Sequence, residues 1–316
     1  MNRIESCDLC GSKQFEFLFS GRDRMYNILG DYNLKKCVKC GLIFIDPQPS
    51  GAELAEHYPA SKYYSLGEKL APGKTRLVIL LYKTFYSGNG SSALKLALFP
   101  LYPLVRFTRI STLGRTLDVG CGSGKFSVYM KHFGMDCYGV EPGQFDKRFA
   151  KENGLKIKHC SLLEADYPDN YFDVITMNHV FEHSDRPTDM LKKLHEILKP
   201  GGTLVIAVPQ SSCLAYRLFG RHWVQLDVPR HLFIFQLKTI RAYAEKTGFK
   251  IEKIRFNSKS FQFLGSLFYL RNKGKEKFLS DTNFFENPLL LFLVTPFAYF
   301  CNLLRIGDQI EVILRK

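Results

Sequence analysis

The sequence predicts an α/β fold, a doubly wound and mainly parallel sheet, on three observations. The apolar run Thr116, Leu117 and Val119 leads into glycines at alternate positions, Gly120, Gly122 and Gly124. A helical pattern follows at once in Phe126, Val128, Tyr129, Met130 and Phe133, completing a strand, tight turn and helix. Further strand and helix patterns then alternate at βα spacing through Phe256. Glycine turns of this kind let a ligand approach the backbone, and the helix start beyond offers unpaired N–H groups. A dinucleotide fingerprint is excluded, because G-x-G-x-x-G would need glycine where the chain has Lys125.

At 316 residues there is room for one large α/β domain and a small module. A hydrophobic share of 46% against 23% charged residues excludes a disordered chain. The net charge of +14 favours a polyanionic partner, either anionic lipid or nucleic acid. The opening residues, Met1 to Ser6, lack the apolar region of a secretory signal. Nine cysteines, four of them in two C-x-x-C pairs, point to a metal in a reducing cytoplasm rather than to disulfides.

The elements follow in order. Cys7-x-x-Cys10-Gly11 and Cys37-x-x-Cys40-Gly41 form two knuckles that place four thiolates around one tetrahedral Zn²⁺. Strand-like alternation at Phe15, Phe17 and Phe19 between them suits a zinc ribbon. Four thiolates leave no open position, so the expected zinc is structural. A redox role would need one C-x-x-C on a thioredoxin-like helix, which this segment lacks. Asp46 to Ser50 reads as a turn, followed by a short helix and the tyrosines Tyr58, Tyr63 and Tyr64, closing a ribbon-and-connector region over residues 1–68. Residues 69–112 form a linker of apolar stretches flanked by Lys74, Arg76, Lys83, Lys95, Arg106 and Arg109. No uncharged run there reaches the roughly 18 residues of a membrane span, so its helices pack on the domain or lie in a membrane interface.

Residues 113–316 form the main domain. After the glycine turn come strands at Cys137–Val140, Leu155–His159 and Phe172–Ile175. Pro187–Leu198 is an amphipathic helix that Gly201-Gly202 should terminate before a fifth strand, Thr203–Val208. Helices at Ser212–Phe219 and Gln236–Thr247 lead to a sixth strand, Lys250–Phe256. The seventh, Ile310–Lys316, should hairpin with the sixth, making residues 258–306 an apolar helical insertion. Its uncharged run Asn287–Leu304 is just long enough to span, but one crossing would put two paired strands on opposite sides of the bilayer. With Ser260–Leu270 and the basic loop Arg271–Lys277, the segment reads as a monotopic hairpin on an anionic, cytoplasmic membrane face; a buried helical cap is the other reading.

Asp118, the glycines of G-x-G-x-G and Glu141 at the end of the second strand resemble class I S-adenosylmethionine (SAM) dependent methyltransferases. Asn178-His179-Val180-Phe181-Glu182-His183 and Leu198-Lys199-Pro200-Gly201-Gly202 resemble that family's signatures after strand four and before strand five. The resemblance implies a Rossmann-like seven-stranded sheet. It also implies a SAM pocket shaped by Gly120, Gly122 and Gly124, oriented by Asp118, with Glu141 on the ribose and Asn178 nearby. The family's acidic adenine contact after strand three is replaced by Cys160-Ser161-Leu162-Leu163, so Ser161, Glu164 or Asp166 takes that role.

The acceptor's proton needs a base, and His179, Glu182 and His183 follow strand four, where open α/β sheets bind ligands. His183 is the first choice and His231 the second; Trp223 is either a stacking wall or a buried anchor. The Glu-His pair resembles that of sugar C-methyltransferases and of quinone-precursor O-methyltransferases, where related residues can bind a divalent metal. A zinc module ahead of the SAM domain resembles the bacterial sugar and cell-envelope group, in which connector tyrosines can line the substrate pocket. The expected function is therefore methylation of a small-molecule or glycan acceptor, such as a nucleotide- or lipid-linked sugar, at the membrane surface. Quinone or lipid O-methylation is the alternative. RNA methylation and a silent SAM-binding scaffold come behind, because the basic residues flank apolar arms rather than forming a nucleic-acid patch.

Overall fold

The chain opens with three strands, β1 (Phe15–Arg22), β2 (Asp31–Cys37) and β3 (Ile43–Ile45), paired antiparallel in sequence order. The computed structural model describes residues 2–59, 72–85, 91–98, 101, 114–272, 279, 284 and 287–316. The expectations placed on Tyr63, Tyr64, Arg106, Arg109 and the loop 273–277 lie outside the described residues. Further strands are β4 (Arg115–Val119), β5 (Asp136–Val140), β6 (Lys156–Lys158), β7 (Phe172–Asn178), β8 (Leu198–Pro209), β9 (Phe233–Ile234), β10 (Lys250–Phe256) and β11 (Gln309–Arg315). The helices are α1 (Gly51–Glu56), α2 (Pro72–Phe85), α3 (Ser92–Leu98), α4 (Lys125–His132), α5 (Lys147–Glu152), α6 (Pro187–Ile197), α7 (Leu214–Phe219), α8 (Leu237–Lys246), α9 (Phe261–Arg271) and α10 (Pro288–Leu303).

Seven strands form one sheet in the order β10-β11-β8-β7-β4-β5-β6. β4, β5 and β6 run parallel, whereas β10 and β11 pair antiparallel, with Phe256 opposite Ile310. The predicted α/β class holds, including the C-terminal strand. One detail differs: α6 stops at Ile197 and Gly201-Gly202 lie inside β8, where Gly201 takes φ +72° and the strand absorbs the kink.

Contacts gather the chain into two compact units, residues 1–62, 177–195 and 206–316 in one, 63–176 and 196–205 in the other. In the second unit, Val78 and Leu81 of α2 pack with Met130, Met135, Cys137 and Val174. The first half of the 69–112 linker thus packs on its own unit, and truncating the fully buried Leu81 to alanine would cost about 2–5 kcal/mol.

In the first unit the ribbon sheet does not end with β3. β9 pairs with it, Ile43 opposite Ile234 and Phe44 opposite Phe233, giving the order β1-β2-β3-β9. All three β3 residues are buried, as expected of a strand with a neighbour on both edges. The ribbon is also pinned by Asp8, between the first two cysteines. Its carboxylate accepts from Thr188 Oγ1 (2.6 Å) and Tyr243 OH (2.9 Å), and Lys246 Nζ donates to its carbonyl (2.6 Å).

The insertion between β10 and β11 is asymmetric. Most of α9 is buried, including Phe263, Leu264, Phe268 and Tyr269, so this arm is not available to a bilayer as the hairpin reading expected. α10 buries only Ala298 and Cys301, against a cluster that includes Trp223, Cys213 and Phe263. Among the described residues, no helix is long and apolar enough to cross a membrane.

Candidate active site

The glycine turn follows β4. Gly120, Gly122 and Gly124 all take positive φ, at +64°, +50° and +72°, which explains why side chains are absent there. The three serve different ends. A Cβ on Gly124 would stand 2.7 Å from Leu155 Cδ1, so that glycine permits packing. A Cβ on Gly122 would meet nothing within 4 Å, so its face opens onto free space where a ligand can sit. Gly124 stands at the N-cap of α4 and, having no side chain, adds no cap hydrogen bond of its own.

Glu141 closes the turn from the end of β5. Its Oε2 accepts from Gly122 N and its Oε1 from Gly143 N, each at 2.8 Å. Asp118 is buried, and Thr176 Oγ1 on β7 donates to its Oδ1 (2.8 Å). Burial pushes the Asp118 carboxyl up to about 7, Glu141 adding to the rise and Thr176 opposing it. Glu164 accepts from both Ser161 N (3.0 Å) and Ser161 Oγ (2.8 Å), so two of the three adenine candidates form a single turn. The structure thus gathers Asp118, Gly120, Gly122, Gly124 and Glu141, with Ser161 after β6.

Asn178 closes β7, exposed, and the chain then turns sharply through His179, whose φ is +54°. The one-turn helix Phe181–His183 follows, anchored by Phe181 stacked on Phe235 with centroids 4.6 Å apart. This places Glu182 and His183 in the first unit beside His231. Glu182 is fully buried; His179 Nδ1–H donates to its Oε1 (3.1 Å), and His231 Nε2 stands 3.9 Å from the same oxygen. Among the described residues, Glu182 Oε2 has no hydrogen-bond partner. Although burial opposes ionisation, His179, His183 and His231 hold this carboxyl down at about 2. Arg186 does not reach it, pairing instead with Asp189.

His183 Nδ1–H donates to the Arg230 carbonyl (2.8 Å), and the Tyr58 hydroxyl lies 3.0 Å from the same nitrogen. With Nδ1 committed, Nε2 carries the ring's lone pair. Burial, then His231 whose ring centroid is 4.8 Å away, lowers His183 to about 4, so the ring is neutral at neutral pH. His231 is buried, with Nδ1–H donating to Gln225 O (2.8 Å). One donor atom each from Glu182, His183 and His231 lies within 4.8 Å of the others, a spacing that suits a metal ion. Trp223 is buried against Tyr216 and acts as an anchor, not an exposed stacking wall.

Sequence reasoning missed the group that holds this cluster. Arg230 is buried and makes two bidentate pairs. Nη1 and Nη2 donate to Asp23 (2.8 and 3.1 Å), while Nη2 and Nε donate to Asp227 (2.6 and 3.0 Å). His57 Nδ1–H donates to Asp23 Oδ2 (2.9 Å) and Tyr32 OH to His57 Nε2 (2.9 Å). The ribbon therefore supplies the carboxylate that orients Arg230, whose carbonyl orients His183. The motif Asp227-Val228-Pro229-Arg230-His231 was the available signal, since charged residues flank a proline there, but their partner lies 207 residues away in Asp23.

The four ribbon cysteines also meet. Their sulfurs lie within 4.8 Å of one another, with Cys7–Cys40 and Cys10–Cys37 each at 3.5 Å. A tetrahedral Zn–S₄ centre with bonds of about 2.3 Å sets sulfurs about 3.8 Å apart, so the cage is the right size. Both knuckles close as expected, Gly11 N to Cys7 O (2.8 Å) and Gly41 N to Cys37 O (2.9 Å), with positive φ at both glycines.

Residues 95–254, just over half of the chain, match the family described as "Methyltransferase domain". Among curated proteins, the ubiquinone biosynthesis O-methyltransferase of Actinobacillus pleuropneumoniae serotype 5b is 30% identical over 135 residues, 39% of this chain and 58% of that protein. The enzyme of the same name from Pseudoalteromonas translucida is 28% identical over 149 residues, 43% of this chain and 63% of that protein. The chain thus spans between half and two thirds of these relatives. Among solved structures, a SAM-dependent methyltransferase from Archaeoglobus fulgidus aligns with TM-score 0.44 and 21% identity, covering 75% of this chain and 99% of that one.

Proposed function

The chain belongs to the methyltransferase-domain family and is a SAM-dependent methyltransferase, and from that premise we propose that it methylates a hydroxyl oxygen of a small-molecule acceptor, with His183 as general base. The observation that carries this reading is the committed Nδ1 of His183, which leaves Nε2 as a neutral lone pair beside the buried Glu182 carboxylate. SAM brings a methyl group on a cationic sulfur. As the oxygen–carbon bond forms and the sulfur–carbon bond breaks, the hydroxyl proton passes to His183 Nε2, giving a methyl ether and S-adenosylhomocysteine. In this reading Glu141 accepts from the ribose hydroxyls and exchanges its bond to Gly122 N for them. Asp118, Gly120 and Gly124 keep the turn in shape, Ser161 with Glu164 faces the adenine, and Asn178 lies beside the cofactor.

Glu182 stabilises the imidazolium that forms on His183, and His179 holds Glu182 in place. The same His183 Nε2 is the one atom that ring can offer a metal, so a divalent cation held by Glu182, His183 and His231 is the alternative to a histidine base: its charge would satisfy the lone Glu182 Oε2 and lower the pKa of a bound hydroxyl. In the ribbon, Cys7, Cys10, Cys37 and Cys40 hold a structural Zn²⁺ in this reading.

The relatives' O-methylation in ubiquinone biosynthesis favours a ring hydroxyl on a lipid-soluble acceptor. A second reading, a nucleotide- or lipid-linked sugar of the cell envelope, draws on Tyr58, the connector tyrosine whose hydroxyl lies 3.0 Å from His183. The deciding experiment supplies purified protein and labelled SAM to an extract of cells lacking the gene. Label that stays in the organic phase through mild acid supports the ring. Label released by acid supports a lipid-linked sugar, and aqueous label a nucleotide sugar. No protein-dependent transfer, or no SAM binding by calorimetry, refutes the proposal.

A further inference from the structure

The outer face of α10 has no use in the chemistry above. Leu289 is 65% exposed, Phe292 76%, Leu293 61%, Phe300 53% and Leu303 80%, and at 3.6 residues per turn all five fall along one side of the helix. Phe297 and Leu304 extend the stripe, and Leu218 of α7 is 61% exposed. Scattered exposed leucines need no explanation, but a contiguous stripe of this kind marks a surface that is covered by something.

Three observations say what covers it. First, both ends of the segment are tied to the same hairpin, because β10 and β11 are hydrogen-bonded neighbours. The segment must enter and leave an apolar phase on one side, which suits a helix lying in an interface and forbids a single crossing. Second, the helix carries no charge, while Arg305 follows it, exposed, and Arg271 ends α9. On α7 and its continuation, exposed Arg217 and Arg221 flank Leu218, and no acidic residue occurs between Glu196 and Asp227. Third, the stripe is rich in phenylalanine, with Tyr299 partly exposed on it, the composition that settles at the boundary of headgroups and acyl chains. A second copy of this chain would bring the same arginines against one another on a molecule of charge +14.

We propose that the exposed face of α10 docks the protein on an anionic bilayer, with Phe292, Phe300 and Leu303 immersed at the acyl boundary and Arg217, Arg221, Arg271 and Arg305 at the phosphates. The docking is monotopic and independent of which acceptor is methylated.

The test is flotation of the purified full chain with vesicles of phosphatidylcholine alone or mixed with phosphatidylglycerol. Wild type should bind the mixed vesicles and bind the neutral ones at least about tenfold more weakly. Leu289→Gln/Phe292→Gln/Phe300→Gln should lose roughly a hundredfold in binding, because three exposed apolar side chains stop partitioning, with an unchanged melting temperature. Should that variant fold poorly, hydrogen exchange on wild type gives an independent readout, as vesicles should protect residues 289–304 selectively. Equal binding to neutral vesicles, undiminished binding of the variant, or no protection of that helix would overturn the proposal. So would a lipid-free dimer that the same triple variant converts to monomer.

Discussion

Asp23→Asn tests the link between the ribbon and the base most directly. The Asp23 carboxylate is fully buried and takes five donors. Arg230 Nη1 and His57 Nδ1 reach Oδ2, while Arg230 Nη2, Met25 N and Tyr26 N reach Oδ1. An asparagine fits the space but must put its NH₂ group at one of those two positions, so donors face donors whichever way the amide turns. Despite burial, His57 and Arg230 hold the carboxyl down at about 2 instead of 3.8, which corresponds to about 2 kcal/mol of stability when it is ionised. Donors left unpaired add about 1–2 kcal/mol, for a loss of roughly 3–4 kcal/mol at neutral pH.

The pH dependence gives the sign. A carboxyl lowered by folding contributes fully above its unfolded value, and that contribution disappears as pH falls through the folded one. The gap between wild type and Asp23→Asn in urea unfolding should be complete above pH 4 and narrow towards pH 2. A variant within about 1 kcal/mol of wild type at pH 7, or a gap undiminished at pH 2, would refute the reasoning.

Three further outcomes follow from the geometry. Gly122→Val should weaken SAM binding at least about tenfold in calorimetry, since its side chain enters open space, and should also lower the melting temperature, because a β-branched residue at φ +50° costs about 1–3 kcal/mol; Gly124→Ala should destabilise first, because its Cβ strikes Leu155. A Gly122→Val protein that binds SAM like wild type would remove the cofactor from that turn. His183→Ala should lower kcat by roughly 10²–10⁴ without changing SAM affinity. Because burial holds His183 at about 4, the kcat/KM profile should show no acid limb near 6.5, and finding one there would take His183 out of the base's role. Cys10→Ser should lose one equivalent of zinc by elemental analysis and loosen the ribbon; full metal-free stability of wild type would count against a structural ion.

What was legible in the sequence is what depends on near neighbours. The sign of φ at Gly120, Gly122 and Gly124 is fixed within a few residues, and so is the knuckle closed by each C-x-x-C-G. Apolar periodicity located β4, β5, β7, β10 and β11, because each strand's face is a property of its own residues. The distinction between buried α9 and exposed α10 was not legible: both are apolar all round, and only the packing of Phe263, Ala298 and Cys301 around Trp223 separates them. Nor was the pairing of Asp23 with Arg230, since no local rule matches an acid in a ribbon loop to an arginine after β8.

That pairing changes what the ribbon is. A module attached by a linker would leave the chemistry intact when lost, but this one shares a sheet with β9 through β3. Two residues before β9, His231 faces Glu182, and one residue earlier Arg230 grips Asp23. The same ribbon is bolted through Asp8 to Thr188 and Tyr243. With zinc in the ribbon and His183 as the base, as proposed above, metal loss would reach the base without contact with either substrate: the knuckle would relax, Asp8 and Asp23 would shift, and the Arg230 carbonyl would no longer fix the His183 ring. Zinc removal should accordingly lower kcat while leaving calorimetric SAM affinity close to wild type, because the glycine turn and Glu141 belong to the other compact unit. Equal losses in both would instead mean that the whole fold, and not the orientation of one histidine, depends on the ion.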